Sequence, residues 1–129
     1  MIILDASVLI ALFDGSDQHH REATDLIEHT SHEPLGISPL TLAEVLVGPT
    51  RSGVLPVALS LVSQLGITTI GLGSDASLRL ALLRTNTNLK LPDCCVLLAA
   101  EESGGRLATF DNSLRGAAER LGMAVIPNR

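Results

Sequence analysis

The sequence predicts an α/β protein built in three layers (α/β/α), with helices on both faces of a mostly parallel sheet of four to five strands. Three observations predict it. Short apolar segments alternate with helical patterns along all 129 residues. Those short segments carry almost no charge, as parallel strands covered on both faces should. Hydrophobic residues make up 46% of the chain and mean hydropathy is +0.36, enough for a real core and contrary to disorder. The length suits a single domain over residues 1–129.

Met1–Leu4 is an apolar run with two isoleucines and reads as a buried strand. Ser7–Phe13 is helical and ends near Asp14-Gly15. Asp17–Thr30 is a polar helix with Ala23, Leu26 and Ile27 as its buried stripe. Pro34–Ser38 is the second strand. Ser38-Pro39 then opens a helix, serine as N-cap and proline at the first helical position, which runs to about Val47 and stops at Gly48-Pro49. Val54–Leu65 is a further helix closed by Gly66. Ile67–Ile70 is a strand of β-branched residues. Asp75–Thr85 is a helix, Pro92 opens the next, and Gly104-Gly105 ends it. Arg106–Phe110 is a fourth strand, Ser113–Leu121 a helix, and Met123–Ile126 a last short strand.

Composition narrows the function. The only aromatic residues are Phe13 and Phe110, too few for a protein that reads bases by stacking. The formal net charge of −5 repels phosphate and argues against a nucleic-acid coat protein. An enzyme whose acidic site is screened by divalent cations stays compatible with it. Two adjacent cysteines, Cys94 and Cys95, offer no disulfide framework, and MIILDASVL lacks the basic start of a signal peptide, so a reducing cytoplasm is expected. The longest uncharged run, Ser52–Ser74, is broken by Pro56, Gly66 and Gly71 and is not read as membrane-spanning.

Four carboxylates stand alone in apolar segments. Asp5 follows the first strand in MIILDASVL. Glu44 sits in PLTLAEVLV, the one charge between Glu33 and Arg51. Asp93 lies in LPDCCVLLAA at a helix start, and Asp111 ends the fourth strand in RLATFDN. The strand–helix alternation puts all four near one edge of the sheet, where α/β folds gather their sites. An isolated carboxylate in apolar surroundings must pair, neutralise or bind a metal. Four together repel unless a cation intervenes, and Mg²⁺ or Mn²⁺ takes oxygen ligands. Each acid also has a plain reading: Thr41-x-x-Glu44 matches a capping box, Asp93 suits a helix dipole, and Asp5 and Asp111 suit turns or caps. The ordered set of four is what favours a metal.

At these residues the chain resembles the PIN-domain family, and specifically the VapC-type toxins of toxin–antitoxin pairs. The resemblance rests on Asp5-Ala6-Ser7, Thr41-x-x-Glu44, Leu91-Pro92-Asp93 and Thr109-Phe110-Asp111-Asn112, in order across the chain. It implies a PIN-like fold and a Mg²⁺- or Mn²⁺-dependent endoribonuclease with Asp5, Glu44, Asp93 and Asp111 as the acidic set. Ser7, Thr109 and Asn112 match its supporting polar positions. It implies water as nucleophile, products with a 5′-phosphate and a 3′-hydroxyl, a homodimer, and a VapB-like antitoxin that silences the site. The chain departs from many relatives at Cys94-Cys95 and at Asn112-Ser113, where others carry small or aliphatic and basic residues respectively.

Among the basic residues, Lys90 near Asp93 and Arg115 one turn past Asp111 are the candidate RNA phosphate contacts. His19, His20, His29 and His32 lack the spacing of a metal motif and read as surface helix. Cys94 and Cys95 read as core. Val54–Leu65 is apolar almost all round and needs covering on more than one side, either by the core alone or with part of it meeting a second copy or a partner helix. Two other functions compete: a non-catalytic PIN-like interaction module, and a receiver-type phosphoryl-transfer domain. The second would need a lysine at a late strand end, and Lys90, the only lysine, precedes a helix.

Overall fold

The computed structural model describes residues 1–129. In chain order the elements are β1 (Ile2–Leu4), α1 (Ala6–Phe13), α2 (His20–His29), β2 (Leu35–Ile37), α3 (Pro39–Arg51) and α4 (Leu55–Gln64). There follow β3 (Ile67–Thr69), α5 (Ala76–Thr87), α6 (Leu91–Ser103), β4 (Arg106–Ala108), α7 (Asn112–Arg120) and β5 (Val125–Ile126). The sheet has five strands in the order β3-β2-β1-β4-β5, all paired in parallel.

Period-2 alternation along β1 divides the core. Ile3 points to one face, where it meets Leu97, Leu98, Leu107, Leu114 and Val125. Ile2 and Leu4 point to the other, with Val8, Leu9, Ala23, Ile37 and Val45. The helices therefore fall into two layers with the sheet between them, the α/β/α arrangement expected. α6 packs on β1 and β4 and buries every residue from Cys94 to Ala100. Both cysteines are core residues, as expected. Gly36 of β2 allows the closest packing: a Cβ there would sit 2.9 Å from side-chain atoms of both Ile3 and Ile70.

Several element boundaries differ from expectation, and at three of them the local reason is plain. The polar helix begins at His20 and not at Asp17, because Asp14 Oδ1 accepts the Ser16 N–H and Asp17 Oδ1 accepts the His19 N–H, which folds the segment into side-chain-closed turns. α3 continues through Gly48-Pro49 to Arg51. Pro49 lies near its end, where a proline forfeits one helical bond, and Ser52 N–H still reaches Gly48 O. β4 stops at Ala108, two residues early, because the backbone of Thr109 and Phe110 is taken up by side chains of the site described below. No helix is long and apolar enough to cross a membrane.

Candidate active site

The chain runs β1 to β2 to β3 toward one side of the sheet, then returns to β4 and β5 on the other. The direction switches between β1 and β4, and it is beyond the strand C-termini at such a switch point that α/β folds gather their sites. Asp5 follows β1 there, and Thr109 and Asp111 follow β4.

Asp5 occupies the N-cap position of α1 but makes no cap bond. Its carboxylate turns instead to the hydroxyls of Ser7 and Thr109, which each donate to Oδ2 at 2.8 Å. No protein donor bonds Oδ1. Asp5 is 6% exposed, so these two bonds fix a buried carboxylate. Ser7 Oγ also accepts the Phe110 N–H at 3.1 Å, and Thr109 Oγ1 accepts the Asp111 N–H at 3.0 Å. The ends of β1 and β4 are thus stitched by the same hydroxyls that orient Asp5.

Asp111 caps α7 through Oδ1, which accepts the Leu114 N–H at 3.0 Å, and the residue itself is exposed. Its cap role and its place beside Asp5 coexist. Asn112, the first residue of α7, is exposed and its side chain makes no hydrogen bond. Asp93 is half-buried in the first turn of α6. Partial burial, and then the carboxylates of Asp5, Asp111 and Glu44, push its pKa up to about 6, against a smaller pull from Lys90. Glu44 projects from an exposed part of α3, and its pKa is raised by the protein around its carboxyl and by Asp5. Asp93 thus feels all three other carboxylates, and Glu44 feels Asp5.

The capping-box reading of Glu44 fails. Ser38 is the N-cap of α3, accepting the Leu40 N–H, and Thr41 lies inside the helix, fully buried, with its hydroxyl unpartnered. Lys90 is exposed at the N-cap position of α6. Arg115 corrects the expectation of a phosphate contact: it is 9% exposed, on the inward face of α7 with Leu114, Ala117 and Ala118, and its Nη2 donates to the Thr109 carbonyl at 3.1 Å. The sequence signal for this was its spacing from Asp111, which puts it one turn below the cap. The four histidines do not gather.

No three acidic, histidine or cysteine side chains lie at the spacing that holds one ion. Like charges stay apart without a cation between them, and Lys90 is the one cation that acts on Asp93. The donor chemistry fits a hard divalent cation: every candidate ligand is a carboxylate oxygen, and Asp5 keeps Oδ1 free of protein bonds.

Comparison with known proteins is consistent with this geometry. No curated protein matches the chain in sequence. A toxin–antitoxin complex from Klebsiella pneumoniae is similar in structure, at TM-score 0.72 and 29% identity, over 86% of this chain and 87% of that one. The VapC20 toxin of Mycobacterium tuberculosis, described as cleaving the sarcin–ricin loop, matches at TM-score 0.74 and 16% identity over 91% and 95%. DNA-bound VapBC from Salmonella typhimurium matches at TM-score 0.66 and 21% identity over 96% and 95%. The family profile described as PIN domain matches residues 2–120, and the chain belongs to the PIN-domain family.

Proposed function

We propose that the chain is a divalent-metal-dependent endoribonuclease toxin of the VapC type, neutralised by a VapB-like antitoxin. One observation supports the reading: the carboxylates of Asp5, Glu44 and Asp111, from three other segments, all act on Asp93, and Asp5 acts on Glu44 as well. The similarity to toxin–antitoxin structures supports it.

Mg²⁺ or Mn²⁺ bound to these oxygens would supply Lewis acidity, making a hydroxide from water near neutral pH and offsetting charge on the scissile phosphate. The chain's own residues do the rest. Ser7 and Thr109 hold Asp5 in one orientation and leave Oδ1 to ligate. Asp93 joins it from the α6 terminus, ionised above about pH 6. Glu44 and Asp111 complete the oxygen set from the rim. Lys90, exposed beside Asp93, holds a phosphate of the RNA.

A cleft of about 320 Å³ lined by Ile10, Phe13, Val45 and Pro49 opens beside Glu44. It adjoins a second hollow that shares Phe13 and Pro49 and is lined by Val54 and by Val57 and Leu61 of α4. This apolar channel ending at an acid suits an amphipathic antitoxin helix that ends in a cation. Leu78 and Leu82, one turn apart on α5, are exposed and suit a homodimer contact.

The spread of the carboxylates favours one alternative, a non-catalytic interaction module. Incubation of partner-free protein with total cellular RNA in Mg²⁺, Mn²⁺ or EDTA separates the two. The nuclease reading expects discrete fragments that require metal and disappear with Asp93→Ala. Cleavage that survives EDTA or Asp93→Ala contradicts it, and no cleavage in either ion favours the module.

A further inference from the structure

Arg115 is a guanidinium placed almost entirely out of water. Its Nη2 donates to the Thr109 carbonyl at 3.1 Å, its Nη1 lies 3.7 Å from Glu119 Oε1 at the surface, and its buried Nε has no partner. A buried cation with one N–H unsatisfied is a costly way to fill space. Stability of α7 alone does not account for it, since Leu114, Ala117 and Ala118 already seat that helix.

The residue it grips explains the arrangement. Beyond Ala108 the chain leaves the sheet, and the Thr109 carbonyl has no strand to bond. Arg115 supplies that bond. Thr109 is then tied at every polar atom: its N–H to Ile126 O, its carbonyl to Arg115, and its hydroxyl between Asp111 N–H and Asp5 Oδ2. The 109–110 peptide is held from two sides, by Arg115 at its carbonyl and by Ser7 Oγ at the Phe110 N–H; freeing the carbonyl leaves the single Ser7 bond to resist the rotation that would swing the hydroxyl off Asp5.

We propose that Arg115 is a positioning residue for the acidic site, which fixes Thr109 so that its hydroxyl holds Asp5 ready to ligate; this rests on the nuclease reading above. Arg115→Met removes the donor and keeps an unbranched stem. Arg115→Lys keeps a donor of nearly the same reach. In folded protein, Met should weaken Mn²⁺ binding by calorimetry and lower kcat on RNA by about 10-fold or more each, with KM unchanged. Lys should stay within about threefold of wild type on both, since a group that restores the bond restores the geometry. If the Met protein does not fold, Arg115→Gln takes its place: its amide ends near the position of Nε, short of Thr109, so it should show the same loss.

A folded Met or Gln protein with wild-type Mn²⁺ affinity and kcat overturns the proposal. So does a loss that Lys shares in full, or a raised KM at unchanged kcat, which would mark a phosphate contact. Wild-type protein that neither binds Mn²⁺ nor cleaves RNA overturns the nuclease reading itself, and the two failures are thereby distinct.

Discussion

Asp93 keeps its proton to about pH 6 in the absence of metal, and this has a sign that can be checked. A carboxyl whose folded pKa lies above its ordinary 3.8 favours the fold below that value, and the contribution is lost as pH rises through about 6. Metal-free protein should therefore show a melting temperature that falls between about pH 4 and pH 7. Asp93→Asn should flatten that fall, and Mg²⁺ should raise the melting temperature of wild type at neutral pH. A melting temperature indifferent to pH, metal and Asp93→Asn would contradict the electrostatic reading. Each of the four acids stands out in the sequence as a lone charge in an apolar segment, and for Asp93 and Glu44 the structure supplies the consequence, a pKa raised by burial and neighbouring carboxylates. Arg115 was not legible in the same way. A single arginine in a polar helix reads as solvated, and only packing of Leu114, Ala117 and Ala118 turns that face inward.

At the scale of elements, the strands and helices followed from periodicity and punctuation, while their ends were decided by side chains. Asp14 and Asp17 delay α2, and the hydroxyl of Ser7 together with Arg115 shortens β4. Such competition for backbone groups depends on contacts distant in sequence, such as Ser7 to Phe110, and leaves no local pattern. β2 offers a test of the packing. Gly36→Ala would place a methyl against Ile3 and Ile70 in the centre of the sheet, and the displaced side chains should cost about 1–3 kcal/mol by denaturant unfolding. An alanine variant as stable as wild type would show that the Ile3–Ile70 contact can relax freely.

Across the whole molecule, the chain is net acidic, so the proposed RNA substrate would need a cation to offset the repulsion. The fold contributes by its topology, since one switch point joins the ends of β1 and β4 while α3 and α6 bring Glu44 and Asp93. The apolar channel along α1, α3 and α4 lies apart from the hydrogen bonds around Asp5. Val57→Asp with Leu61→Asp should therefore leave RNA cleavage intact and abolish co-purification with the cognate antitoxin; retained co-purification would assign the antitoxin another surface. The central claim is that the four carboxylates are a divalent-cation site, and calorimetric titration of Mn²⁺ into the purified protein tests it most directly. The account predicts saturable binding near neutral pH that weakens as pH falls below about 6 and is lost in an Asp5→Asn, Asp93→Asn double variant. Binding that is absent from wild type, or equal in the folded double variant, would contradict it.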